Sequence, residues 1–215
     1  MDLSVIIPTL NAAATLPRTL AGLGRVPEII VVDGGSIDGT LERAAEAGVR
    51  VVTAPRGRGG QFAAGIAAAS HPWLLLLHAD TCLSRNWRSA IDGDPARAGY
   101  FRFVLDSDDP QARRLEHLVS WRSRVLGLPY GDQGLLIHRD LLRAVGGMRP
   151  LPLMEDVDLV RRLGRVRLVA LPADAVTSAR KWERDGYRRR SARNLLCLSL
   201  WFAGVPPRLI QRIYG

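Results

Sequence analysis

Cysteine is nearly absent: Cys82 and Cys197 are the whole supply in 215 residues. Two distant thiols make neither a disulfide framework nor a metal-ligand spacing. The fold must then rest on its own apolar core, and the chain suits a reducing compartment. Lysine is scarcer still, because Lys181 stands alone among thirty basic residues. Arginine use is therefore heavy throughout and is no evidence by itself for phosphate readout. Aromatics make up 6% of the chain, and the body never interleaves them with basic residues as a single-strand binder does. Nucleic acid is not an expected partner. Long apolar runs are missing too: LLCLSLWFAGV at 195–205 falls well short of the ~20 residues that span a bilayer. The opening MDLSVIIPTLN reads as a strand and not as a basic-then-apolar leader, so the expected location is cytoplasmic. No internal repeat or low-complexity segment breaks the chain.

What is present is ordinary globular composition, 47% hydrophobic and 24% charged, with enough apolar residues for a sizeable core. The net charge of +9 is unevenly spread. Residues 180–215 carry nine basic and two acidic residues, leaving twenty-one basic against nineteen acidic in 1–179. A nearly neutral body, 1–179, is expected to hold the catalytic apparatus, with 180–215 a basic and apolar extension.

Apolar runs alternate with helical patterns. SVIIP (4–8), EIIVVD (28–33), VRVVTA (49–54) and WLLLLH (73–78) read as strands. Between them, Leu16, Leu20 and Leu23 share a helical face, as do Leu41, Ala44, Ala45 and Gly48, and RGRGGQFAAGIAAAS turns into a small-residue helix. Ser36 or Asp38 is placed to cap the second helix. This order predicts βαβ units and an α/β fold with a mixed, mainly parallel sheet flanked by helices. The second half is less regular. GYFRFVL (99–105) alternates as a strand, 110–127 is a helix carrying Leu115, Leu118, Val119 and Val125, and GDQGLLIHR holds a short strand. MEDVDLVRRLGR begins a helix, VRLVAL is the last strand, and 186–213 is helical with a break at Pro206-Pro207.

Ligands of open parallel sheets bind beyond the carboxyl ends of the strands. Those ends read Pro8-Thr9-Leu10-Asn11, Asp33-Gly34-Gly35-Ser36, Arg56-Gly57-Arg58-Gly59-Gly60-Gln61 and His78-Ala79-Asp80-Thr81. Each has a structural alternative: Asp33 as a turn residue, Asp80 as the cap of a helix beginning near Ser84, the glycines as a loop. Taken together, two carboxylates beside a Gly/Arg loop make a polyanion pocket if a cation neutralises them. Mg²⁺ typically uses one or two carboxylates plus substrate phosphates.

SVIIPTLN, VVDGGSIDGT, the glycine-rich turn into an Ala-rich helix, LLLLHADT and MEDVDLVRRL follow in order at suitable intervals. Over about residues 1–172 the chain resembles the family-2 inverting glycosyltransferases, whose fold is a Rossmann-like nucleotide-diphosphosugar-binding domain (glycosyltransferase A-type). With GDQG and SARKWERDGY it further resembles small bacterial transferases described as arsenosugar-biosynthesis or radical-SAM-associated. The resemblance implies a nucleotide diphosphosugar donor, UDP being the usual nucleotide, a hydroxyl acceptor, and Mg²⁺ or Mn²⁺. It implies that Pro8 and Thr9 line the nucleotide site, that Asp33 accepts from the base, and that Arg58, Gln61 and Ala79 adjoin the nucleotide and diphosphate. Asp80 matches the metal-holding last acid of the family's Asp-x-Asp motif, while His78 stands where the first acid should be. Asp156, with Glu155 beside it, matches the catalytic base. The alternative for Glu155, Asp156 and Asp158 is helix N-terminal acids favoured by the macrodipole. Asp132 and Gln133 are candidate sugar or acceptor contacts, or else a tight turn. Arg180 and Trp182 fall where relatives place an Arg-Trp element near the acceptor.

Segment 195–205 could pack on the body, form a homodimer contact, or lie in a membrane interface with arginines toward anionic lipid. Two other functions compete. A sugar nucleotidyltransferase would need a Gly- and Lys-containing loop after the first strand, where this chain has PTLNAAATLP. A non-catalytic nucleotide-sugar or lipid-surface binder would leave Asp156 dispensable.

Overall fold

A computed structural model describes residues 1–91 and 93–214. Strands β1 (Leu3–Thr9), β2 (Glu28–Asp33), β3 (Arg50–Thr53) and β4 (Trp73–Leu76) alternate with helices α1 (Leu16–Leu23), α2 (Thr40–Glu46) and α3 (Arg58–Ala68). Then come β5 (Thr81–Leu83), β6 (Ala98–Asp106), α4 (Pro110–Val125), β7 (Leu135–His138), α5 (Arg139–Ala144), α6 (Glu155–Leu163) and β8 (Leu168–Ser178). The chain closes with α7 (Arg180–Asp185), α8 (Tyr187–Phe202) and α9 (Pro207–Tyr214). One eight-stranded sheet runs in the order β3-β2-β1-β4-β7-β6-β8-β5. The first four strands are parallel neighbours, β7 is antiparallel to both β4 and β6, and β8 is parallel to β6. The expected mixed, mainly parallel α/β sheet with a helical C-terminal region is what forms.

Period-two alternation explains the core. Val5, Ile7, Val31, Leu75 and Leu77 face α1, where Leu16, Leu20 and Leu23 meet them. Ile6, Ile30, Val32, Leu74 and Leu76 face the other way, against Phe62 of α3 and Leu159 and Leu163 of α6. A sheet covered on both faces needs strands that are apolar throughout, which is why these runs do not alternate with polar residues. Gly65 lets α3 close on this sheet: a Cβ there would collide with Ile6 and come within 2.8 Å of Val32. Gly65→Val should therefore cost about 2 kcal/mol in a urea titration, on the scale of overpacked cores; unchanged stability would mean that α3 can shift away.

Four expectations need correction. No helix follows Ser84, so Asp80 caps nothing; Thr81–Leu83 is a strand because it pairs antiparallel with β8. Ser36 does not cap α2, whose N-cap is Gly39 without a side-chain bond, although Asp38 accepts from the Thr40 amide. On α2 only Ala44 of the named face is buried; Leu41 is exposed because the helix covers the sheet's β3 margin. On α4, Leu118 and Val125 are exposed while Ala112 and Ser123 face the body. The last strand also runs on to Ser178, carrying Thr177 and Ser178 to the strand-end edge. The helical tail breaks at Pro206-Pro207 as expected. It packs on the body, with Trp182 and Tyr187 against Phe103 and Leu105, and Cys197 and Ile210 against Leu153 and Val157.

Candidate functional site

Register places the strand ends side by side: Thr9 pairs with Asp33, and Ile6 with Leu76. Beyond them lies a cavity of about 700 Å³, within the usual range for small-molecule sites. Pro8, Thr9, Arg58, Gln61, Ala79, Asp80, Asp132 and Trp182 all line it. Six cations, Arg56, Arg58, Lys181, Arg184, Arg190 and Arg193, face three acids, Asp80, Asp132 and Asp185. The cavity is therefore net positive and suited to a polyanion. Arg190 and Arg193 also keep buried Nε atoms without a hydrogen-bond partner.

His78, Asp80 and Asp132 form its polar floor. One ligand atom from each lies within 4.8 Å of the others. His78 Nδ1 is 2.7 Å from Asp132 Oδ1. Burial opposes charge on both, yet Asp132 holds the imidazole above its ordinary value, and His78, Lys181 and Arg58 hold the Asp132 carboxyl down to about 2. Ala79 is pinned from α1, where Thr19 donates to its carbonyl at 3.0 Å. The two carboxylates are oxygen donors of the kind Mn²⁺ and Mg²⁺ take, and the imidazole is a softer third donor. Lys181 Nζ sits 3.1 Å from Asp80 Oδ2, so a cation would share Asp80 with, or take it from, this ammonium. Burial lowers the Lys181 pKa, and Asp80 and Asp132 more than restore it.

Asp33 lies beneath the cavity rather than in its wall. Its carboxylate accepts from Thr9 Oγ1, Ser36 Oγ and the amides of Gly35 and Ser36, all within 2.9 Å. Burial raises its pKa, and these four donors bring it below the ordinary value. Gln61 is buried as well, donating to the carbonyls of Thr9 and Val32 and so bracing β1 against β2. Gly57 begins α3 at φ +142, a backbone conformation that favours glycine. Gly59 permits a close approach of protein and not of ligand alone, since a Cβ would lie 2.5 Å from the Leu151 carbonyl.

The α6 N-terminus brings in the second acidic group. Met154 has a left-handed φ of +66 just before it, an uncommon conformation that often marks functional sites. Glu155 is fully buried and pairs with Arg58 Nε at 2.9 Å. Burial pushes the Glu155 carboxyl up, against the pull of Arg58. Arg58 stays a cation because Glu155 and Asp156 outweigh its own burial. Asp158 is consumed by Arg149 and Arg162. Asp156 alone of the three lines a cavity, and its Oδ2 accepts from the Gly131 amide at 2.7 Å.

Two expected contacts stand apart. Gln133 is buried, accepting from Ser123 and donating to Phe101, and borders a different cleft with Tyr100 and Asp174. Arg180 is exposed and lines neither the cationic cavity nor the one that Asp156 borders. Conversely, Lys181, Arg190, Arg193 and Tyr214 form a wall that motif reading did not assign. For Lys181 the signal was present: it is the one lysine in an arginine-rich chain.

Residues 4–91 match the family model described as Glycosyl transferase family 2. An uncharacterized glycosyltransferase of Mycobacterium tuberculosis is 38% identical over 78 residues, 36% of this chain and 36% of that protein. A PGL/p-HBAD biosynthesis glycosyltransferase of Mycobacterium tuberculosis is 40% identical over 91 residues, 37% of this chain and 36% of that protein. The chain thus matches little more than a third of the length of these curated relatives. The crystal structure of glucosyl-3-phosphoglycerate synthase from Mycobacterium tuberculosis with Mn²⁺, UDP-glucose and phosphoglyceric acid shares the fold at 21% identity. Its TM-score is 0.56, over 81% of this chain and 70% of that one. The same enzyme with Mg²⁺ and UDP gives 0.56 at 20% identity, over 81% and 69%.

Proposed function

We propose that the protein is a metal-assisted, inverting glycosyltransferase of family 2, a reading that the match of residues 4–91 to the Glycosyl transferase family 2 model supports. It moves a sugar from a UDP-sugar to a hydroxyl acceptor in the cytoplasm. The observation that carries this reading is the cationic cavity at the strand ends with His78, Asp80 and Asp132 on its floor and Asp156 close by. Fold relatives that bind UDP with Mn²⁺ or Mg²⁺ support the donor and the cation.

Asp80, with His78 and Asp132, would hold Mg²⁺ or Mn²⁺, which neutralises charge on the departing diphosphate. Thr9, Arg58 and Ala79 flank the nucleotide, while Asp33 and Gln61 brace the strand ends under it. Arg190, Arg193 and Lys181 add positive charge from the C-terminal wall. Asp156 takes the acceptor proton as that oxygen attacks the anomeric carbon, the task of a general base. Glu155 acts through Arg58, which it fixes. Trp182 shapes the junction with the acceptor side. One base and one stabilised leaving group suffice for inversion, with no covalent intermediate. The SARKWERDGY segment supports the finer likeness to the arsenosugar-biosynthesis or radical-SAM-associated transferases, since it supplies Lys181 and Trp182.

A thermal-shift panel of nucleotide sugars with and without Mn²⁺ tests this. UDP-sugars should raise Tm, and more so with Mn²⁺, because ligands that bind only the native state stabilise it. Stabilisation by nucleoside triphosphates and sugar phosphates instead would favour a nucleotidyltransferase.

A further inference from the structure

The second cavity has a different chemistry. It measures about 410 Å³ and runs between α4 and α8. Leu118, Trp121 and Leu126 form one side, Leu195 and Leu198 the other, with Met154 among the residues between. Four of these are half or more exposed: Leu118 at 63%, Trp121 at 56%, Leu126 at 52% and Leu195 at 64%. Contiguous exposed apolar surface of this kind marks a binding face.

Its position gives the groove a task. Asp156 lines this cavity and is absent from the wall of the cationic one, while Asp80, His78 and Gln61 line only the cationic one. Arg58, Asp132, Leu153, Trp182, Arg190 and Tyr214 border both, so the two meet there. A hydroxyl that gives its proton to Asp156 must carry its body into the apolar space.

Resting on the transferase reading, we infer that the α4–α8 groove holds the hydrocarbon of a lipid acceptor whose hydroxyl is presented to Asp156. Charge selects a lipid over a second copy of the chain. Arg58, Arg122 and Arg190 line the groove against Asp132 and Asp156, so pairing two such faces would oppose like charges in a chain of net charge +9. Anionic lipid complements both the apolar groove and its arginines. The step balances: the lipid O–H proton passes to Asp156 and the oxygen bonds to the anomeric carbon. The bond from that carbon to the diphosphate breaks, its electron pair leaving with UDP.

Calorimetry with dodecanoyl lysophosphatidylglycerol below its micelle concentration, against its chain-free headgroup glycerophosphoglycerol, tests the groove. The lipid should bind at least ~10-fold more tightly than the headgroup, since each buried methylene adds to affinity. Leu118→Asp and Leu195→Asp, both at exposed positions, should each remove ~10-fold or more of lipid affinity while leaving UDP·Mn²⁺ affinity unchanged. Equal binding of lipid and headgroup, or lipid binding indifferent to both variants, overturns the inference. So does a dimer that the variants dissolve without any lipid binding. UDP binding without lipid binding defeats only the lipid inference. Lipid binding without any UDP binding defeats the transferase reading instead.

Discussion

Asp156→Asn should lower sugar transfer by ~10²-fold or more, the scale of general-base catalysis, with UDP·Mn²⁺ affinity within about two-fold of wild type. The amide keeps the shape of the carboxylate and can still accept from the Gly131 amide, which now holds Oδ2 at 2.7 Å. It cannot take a proton, and its NH2 cannot accept from the Val157 amide, which now bonds Oδ1 at 2.7 Å. Asp156 is absent from the cationic cavity's lining and acts on it only through the charge it sets beside Arg58, which Glu155 holds more strongly, so donor binding should change little. The macrodipole alternative predicts something else: a stability loss of about 0.3–1 kcal/mol for a helix N-terminal acid, with transfer preserved. Steady-state transfer assays beside a calorimetric UDP titration separate the two. Normal turnover in this variant would move the base elsewhere.

The second large effect belongs to Asp80. Asp80→Ala should abolish the Mn²⁺-dependent gain in UDP affinity, measured by titrating UDP with and without the ion. His78 and Asp132 remain, but they already bond each other at 2.7 Å, and Asp80 is the floor carboxylate not tied to the imidazole. Its present partner is Lys181, which the variant releases within the same cavity. Metal-free UDP binding should therefore persist, because six cations still line the space. An undiminished Mn²⁺ effect would place the ion away from Asp80.

The strand ends were legible because a two-face-covered strand is apolar until it leaves the sheet. Leu74 to Leu77 are buried and His78, Ala79 and Asp80 are the first residues outside. Hence the N-terminal half and its cavity-lining residues could be read from spacing and composition. The rest depended on contacts remote in sequence. Thr81–Leu83 becomes a strand only because β8 is available to pair with it. Leu118 looks like a core residue by helical period, yet it faces a groove whose other wall is α8. Gln133 has the polarity of a ligand contact but is used to satisfy the Phe101 carbonyl. Asp33 reads as a free acceptor, although its turn supplies three donors and Thr9 of β1 a fourth. Lys181 stands out as the one lysine of the chain, but only the packing of α7 brings it to the site.

The most direct measurement is anomalous diffraction at the manganese edge from crystals grown with UDP and Mn²⁺. A metal–diphosphate site predicts one peak in bonding range of Asp80, shared with His78 or Asp132, with the UDP phosphates against it. UDP bound with no peak at Asp80, or a peak confined to another carboxylate cluster, would contradict it.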